Sequence, residues 1–380
     1  MSDLGLTMDT EPRNRRRGKN GGSRGRRKEK RGRSGCAVFI AFAVVIGLLL
    51  TGGWYAYGFV KDRFGPPPDY SGAGVEASAV VVVVKPGWVA SQIGNELKRA
   101  KVVKSVDAFT KAYTGDKQQR NIEASAYVLK EHMSAKSAFE FMVNRANRQN
   151  ITPGEGLRAS RVLDIVAKKL SVPLADVEAA AKDPALGLPE WAGGNIEGFL
   201  WPAQYAAAPG MKPIDVLKDM VNTSKNKYAT MKLEEKAAAV GKSPYDILKM
   251  ASIIQAEVRN TEDMTKVSEV IYNRLNKNMS LGMDSTVNYV LNKSALQLTA
   301  AELNTDSPYN TRIKKGLPPT PINNPGEKAI IAALSPTQGK LLYFVTVNPD
   351  TGETKFSDNQ TQFNKDVKEL DQWHKDNPGR

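Results

Sequence analysis

A single carboxylate stands out by its placement. Glu257 closes the run SPYDILKMASIIQAE, in which Ser243 and Pro244 make an N-cap followed by proline at the first helical position. Met250, Ile253, Ile254 and Glu257 then recur at i, i+3, i+4, i+7, so the acid continues an apolar stripe near the helix C-terminus. A carboxyl on such a face loses hydration when ionised, and its pKa rises, as a general acid near neutral pH requires. Gln255 falls about 200° round the helix and serves other surroundings. Periodicity alone leaves a second reading open, a helix-end glutamate facing solvent or paired with Arg259 or Arg274. Glu197 and Asp284 are the other carboxylates offered by polar, Gly- or Tyr-punctuated segments. The segment around Glu197 packs Phe199, Trp201 and Tyr205 near a Glu-Gly and a proline, which suits either a sugar-stacking groove or a loop that closes the core.

Other chemistries find little material. The chain has two histidines, His132 in a helix-like connector and His374 in a C-terminal tail, and one cysteine, Cys36. That excludes an intrachain disulfide, makes a multi-His metal site hard to build, and leaves Ser-His-Asp chemistry with poorly placed histidines. Proton transfer by a carboxyl group calls for no cofactor.

The elements that position these residues follow a fusion of membrane anchor and external domains. Of the net charge of +14, residues 1–35 carry +8, from 12 Lys/Arg and 4 Asp/Glu, without periodicity. This basic tail precedes an uncharged run, and residues 36–60 are long and apolar enough to span a bilayer as one helix, with Trp54, Tyr55 and Tyr57 at the outer end. The basic flank predicts a cytoplasmic N-terminus and an extracytoplasmic remainder, and argues against nucleic acid as the tail's partner. A cleaved signal peptide fits less well, since the run exceeds a usual apolar region and no A-x-A site stands out. Residues 61–75, with Gly65-Pro66-Pro67-Pro68, read as a stiff spacer.

Residues 76–150 read as a small β-α-α-β unit: a Val-rich strand at 77–84, helices at 88–99 and 105–113 with Ser105 as N-cap, and extended chain at 124–129, followed by a helix at 135–146. A unit of this size resembles LysM modules, which bind cell-wall glycan. Residues 151–380 form the larger domain, with helices near 160–170 and 174–182, solvent-facing Lys/Glu-rich helices over 212–239, a hairpin at 341–357 around Asn348-Pro349-Asp350-Thr351-Gly352, and a last helix from Asn359. The fold class expected is α+β.

From about residue 150 onward the chain resembles the YceG-like family, the endolytic murein transglycosylases of the MltG type. The motifs that carry this come in order: Glu197-Gly198 with Trp201-Pro202; Ala251-Ser252-Ile253-Ile254 ahead of Glu257; Asn273-Arg274-Leu275; Asp284-Ser285-Thr286-Val287 with Tyr289; Ser307 with Tyr309-Asn310-Thr311; Gly316-Leu317-Pro318-Pro319; Asn324-Pro325-Gly326; and Tyr343-Phe344-Val345 with Phe356. Two departures are visible. Many relatives have a glutamate where Gln255 stands, and a proline where Ser285 stands.

The resemblance implies an enzyme of bacterial cell membranes that cuts the MurNAc-β-1,4-GlcNAc bond inside peptidoglycan strands, forming 1,6-anhydro ends and terminating strand elongation. It implies Glu257 as the acid. It implies substrate contact or orientation for Glu197, Asn273, Arg274, Asp284, Thr286, Tyr289, Tyr309 and Asn310, no cofactor, and wall synthases as membrane partners. The alternatives are a lysozyme-type hydrolase using Glu257 with Asp284, and a non-catalytic wall-binding scaffold.

Overall fold

The computed structural model describes residues 35–293 and 298–377; the basic segment up to residue 34 lies outside them. Helix α1 (Gly35–Phe64) forms a unit of its own with the chain up to Pro66. Its stretch Phe39–Lys61 has mean hydropathy 2.0 and no buried share, and 23 helical residues rise about 34 Å, enough to cross a bilayer. Trp54, Tyr55 and Tyr57 lie exposed in its C-terminal part.

The chain from Pro67 packs as a second unit. It begins differently from a free spacer. Ser105 Oγ donates to the Pro68 carbonyl at 2.7 Å, the Asp69 carboxylate accepts from the Ala135 N–H at 3.0 and 3.1 Å, and Ala73 bridges to Met133. The proline-rich stretch therefore becomes a docked strap, because Asp69 satisfies an orphan amide at a helix N-terminus. Beyond it come β1 (Val80–Val84), α2 (Ala90–Arg99), α3 (Val106–Thr114), β2 (Ser125–Leu129), α4 (Ala135–Val143) and β3 (Arg148–Ile151). β1 and β2 pair antiparallel with Val82 opposite Tyr127. Their inner faces cover α2 and α3 through Val82, Val84, Ile93, Leu97, Phe109, Tyr127 and Leu129, an apolar cluster of its own. Ser105 caps α3 by accepting from the Ala108 N–H at 3.2 Å, as its position predicts. His132 sits at positive φ in the turn after β2, not in a helix.

A second apolar cluster gathers the rest. It starts at Ile151 on β3 and continues on α5 (Ala159–Leu170) and α6 (Leu174–Ala180); β4 (Tyr205–Ala206) then adds an edge to the sheet, in the order β1-β2-β3-β4, all antiparallel. α7 (Pro213–Thr230) and α8 (Leu233–Ala239) follow. Neither is wholly solvent-facing: Val216, Leu217, Met220, Val221 and Tyr228 line one side of α7 and are buried, with lysines left outside. α9 (Pro244–Glu257) is the central helix. Ile247, Leu248, Met250, Ala251, Ile253 and Ile254 are all fully buried, more than one stripe, because α8, α10 (Thr261–Asn276), α11 (Asp284–Val290) and α13 (Glu327–Leu334) pack round it. Between the last two lies short α12 (Ala300–Leu303). The chain ends with the hairpin β5 (Tyr343–Asn348) and β6 (Glu353–Ser357), and α14 (Gln360–Asp376), capped by Asn359, lies on β5. His374 lies in the last turn of α14, the C-terminal helix expected from Asn359.

The aromatic segment resolves in favour of the core. Phe199 is 0% exposed and Trp201 6%. Tyr228 meets both rings edge-on, at 5.8 and 6.0 Å between centroids, and its hydroxyl donates to the Gly198 carbonyl. Gly198 has φ +88°, and a Cβ there would lie 3.0 Å from Pro321 Cγ, so the turn needs glycine.

Candidate active site

α9 starts as its sequence dictates, with Ser243 Oγ accepting from the Asp246 N–H at 3.0 Å. It stops at Glu257 because Val258 turns extended, and Asn260 at once caps α10 through the Asp263 N–H at 2.8 Å. Glu257 thus sits at the head of a short elbow between two N-capped helices. The residue as a whole is partly exposed, but Oε1 is sealed from solvent and meets no hydrogen-bond partner. Burial raises the pKa of its carboxyl, and the negative charge of Asp284 pushes the same way. Ser285 lies against the carboxyl and opposes the rise, although Ser285 Oγ and Glu257 Oε1 do not reach hydrogen-bond geometry. Burial that disfavours the charged form, with Oε1 left unpaired, suits a carboxyl that gives its proton to a bound oxygen.

Neither arginine neutralises it. Arg274 donates from Nε to the Leu342 carbonyl at 2.6 Å and from a terminal nitrogen to that of Leu281 at 2.5 Å, with its guanidinium over the Tyr343 ring. Arg259 is exposed. Asp284 pairs instead with Arg312, at 2.5 Å. Gln255 faces elsewhere, accepting from the Gly326 N–H at 2.9 Å.

The other motif residues divide into two sets. Thr286 and Asn310 are fully buried. Thr286 Oγ1 donates to the Met283 carbonyl at 2.6 Å and lies 3.0 Å from Thr311 Oγ1, pinning the Asp284 and Tyr309 motifs together. Asn310 Nδ2 holds the Leu303 and Thr305 carbonyls, both at 2.9 Å. Asn273 ties α10 to the approach of β5 through the Leu341 carbonyl at 2.9 Å. Thr286 and Asn310, being fully buried, build walls rather than line them. Tyr289 and Tyr309 form the second set. Their rings meet at 5.1 Å over a cleft of about 580 Å³, also lined by Arg158, Ser160, Glu178 and Glu197. Glu197 is 4% exposed, and burial pushes it up to about 7, against the bonds from Ala159 and Tyr289 and the charge of Arg158.

The YceG-like family matches residues 82–369. This chain belongs to the YceG-like family. It is 30% identical over 335 residues to the endolytic murein transglycosylase of Bacillus subtilis strain 168, across 83% of this chain and 90% of that protein. It is 28% identical over 373 residues to the endolytic murein transglycosylase of Streptococcus pneumoniae D39, across 88% of this chain but 65% of that longer protein. The crystal structure of a YceG-like protein from Listeria monocytogenes superposes with a TM-score of 0.53 at 28% identity, covering 76% of this chain and 99% of that one.

Several members of this YceG-like site escape sequence reasoning. Arg158 is a lone arginine just ahead of α5, yet its guanidinium lies 5.5 Å over the Tyr289 ring and donates to Asn292 Oδ1 at 3.1 Å. Arg312 and Ser285 follow or sit inside motifs, and could have been singled out only as their neighbours. Among the described residues no group of three or more His, Cys, Asp or Glu side chains could hold a metal ion.

Proposed function

We propose that this chain is a membrane-anchored lytic transglycosylase cutting the β-1,4 bond between N-acetylmuramic acid and N-acetylglucosamine inside peptidoglycan strands. The observation that carries the reading is the Glu257 carboxyl, sealed and unpaired at Oε1 at the end of the central helix, in a chain whose relatives are named endolytic murein transglycosylases. Glu257 in its acid form protonates the leaving glycosidic oxygen. The resulting carboxylate takes the proton of the muramyl 6-hydroxyl as that oxygen bonds to C1, giving a 1,6-anhydro end and regenerating the acid. No water is consumed.

A lysozyme-type hydrolase needs a second carboxylate as nucleophile or base. Asp284 forms a half-exposed ion pair with Arg312 and Glu197 is 4% exposed, which favours the reaction that needs no second carboxylate. Tyr289 and Tyr309 line the cleft assigned to sugar; Glu197, Asn273, Arg274, Thr286 and Asn310 hold the frame.

The separate apolar clusters support a division near residue 150 into a small module and a catalytic domain. The β-α-α-β order of the module supports a LysM-like fold that meets glycan. With α1 in the membrane and the basic N-terminus cytoplasmic, the active site faces the wall, where the enzyme ends nascent strands beside the synthases. The test is the mass of glycan ends released by the wild type and by Glu257→Gln.

A further inference from the structure

Glu197 takes no part in the steps above, yet it joins the elements that carry them. Its Oε1 accepts from the Ala159 N–H at 2.7 Å and from Asn324 Nδ2 at 3.4 Å; its Oε2 accepts from the Tyr289 hydroxyl at 3.1 Å. Tyr289 is one turn beyond Ser285 on α11, and residues four apart share a helix face. Ser285 is the residue that lies against Glu257. Asn324 belongs to a segment stitched to α9: the Ile322 N–H donates to Ser252 Oγ at 3.0 Å, Asn323 Nδ2 to the Ser252 carbonyl at 2.8 Å, and the Gly326 N–H to Gln255 Oε1 at 2.9 Å. Gln255 is two residues before Glu257.

We infer that Glu197 is a positioning residue for Glu257: by clamping α11 and the 322–326 segment to the start of α5, it fixes the acid and Ser285 against one another. The inference rests on Glu257 being the proton donor. At 4% exposure Glu197 offers the cleft little surface, and Arg158 over the Tyr289 ring helps hold that phenol in place. Arg158 ahead of α5, Tyr289 on α11 and, at longer range, Tyr245 on α9 are the charged or titratable groups that face it. The ionised carboxylate serves all three donors with two acceptor oxygens; protonation turns one oxygen into a hydroxyl and slackens the clamp. Burial brings that change close to neutral pH.

The test uses full-length protein in detergent micelles and a soluble, uncrosslinked glycan strand. Glu197→Ala lowers kcat roughly a hundredfold, the scale of a misplaced catalytic group, with KM little changed. Glu197→Gln keeps the shape and flattens the acid limb of the kcat–pH profile. A raised KM with kcat intact, unchanged kinetics for Glu197→Ala, or a Glu197→Gln profile that overlays the wild type would each overturn the inference. Glu257→Gln is run alongside. If it stays active, the proton-donor assignment itself fails; if it is inactive while Glu197→Ala is not, only the clamp does.

Discussion

Replacing Glu197 by glutamine at constant shape should stabilise the protein in alkaline solution and hardly at all in acid. The ordinary carboxyl value of 4.5 rises to about 7 in the folded chain because the group is buried. Between those values the folded protein retains a proton that the unfolded chain has released, so stability falls as pH rises across that window and levels off above it. At about 1.4 kcal/mol per tenfold change in proton affinity, the loss between pH 5 and pH 8 is about 2.5 kcal/mol. Glutamine cannot ionise, so the difference between variant and wild type should open by that amount over the same range. Urea unfolding at pH 5 and pH 8 measures it. A stability difference that is flat with pH, or one that shrinks toward pH 8, would refute the reasoning by showing that Glu197 is as well solvated or as strongly paired when folded as when unfolded. The clamp's hydrogen bonds and this cost coexist: the site holds a carboxylate in place against its own desolvation.

Ser285→Ala should move the alkaline limb of the kcat–pH profile upward, because Ser285 opposes the rise of the Glu257 pKa and its loss keeps the acid protonated further; a downward shift counts against the contact. Phe199→Ala should cost about 3–5 kcal/mol in urea unfolding, as for a large side chain removed from a closed core. A loss below about 1 kcal/mol would place that ring in a groove rather than the core.

Elements with local signals were legible in the sequence. Ser105, Ser243 and Asn359 cap the helices they announce, and the hairpin turns where Gly352 takes φ +75°. β1 starts at Val80, later than its apolar run suggests, because Ser78 turns back on the Val75 carbonyl. β3 and β4 had no such signal: Arg148–Ile151 is polar and short, and its partner Tyr205–Ala206 lies more than fifty residues away. The lysine-rich composition of α7 masked its buried face. At the site, helical spacing placed Glu257 on an apolar face but could not show that its Oε1 is left without a partner. Glu197 was visible as a motif residue, but its burial depends on donors 38, 92 and 127 residues away, which no local pattern encodes. Arg158, just ahead of α5, likewise meets its partners Tyr289 and Asn292 only through the fold.

Everything proposed for the reaction turns on Glu257 serving twice, as acid and then as base toward the substrate's own 6-hydroxyl. Mass spectrometry of glycan ends released from isolated sacculi reads this out. The wild type should release 1,6-anhydromuramyl ends, lighter than reducing ends by the mass of one water, and Glu257→Gln should release none. Reducing ends from the wild type, or anhydro ends from Glu257→Gln at the wild-type rate, would rule out the double role.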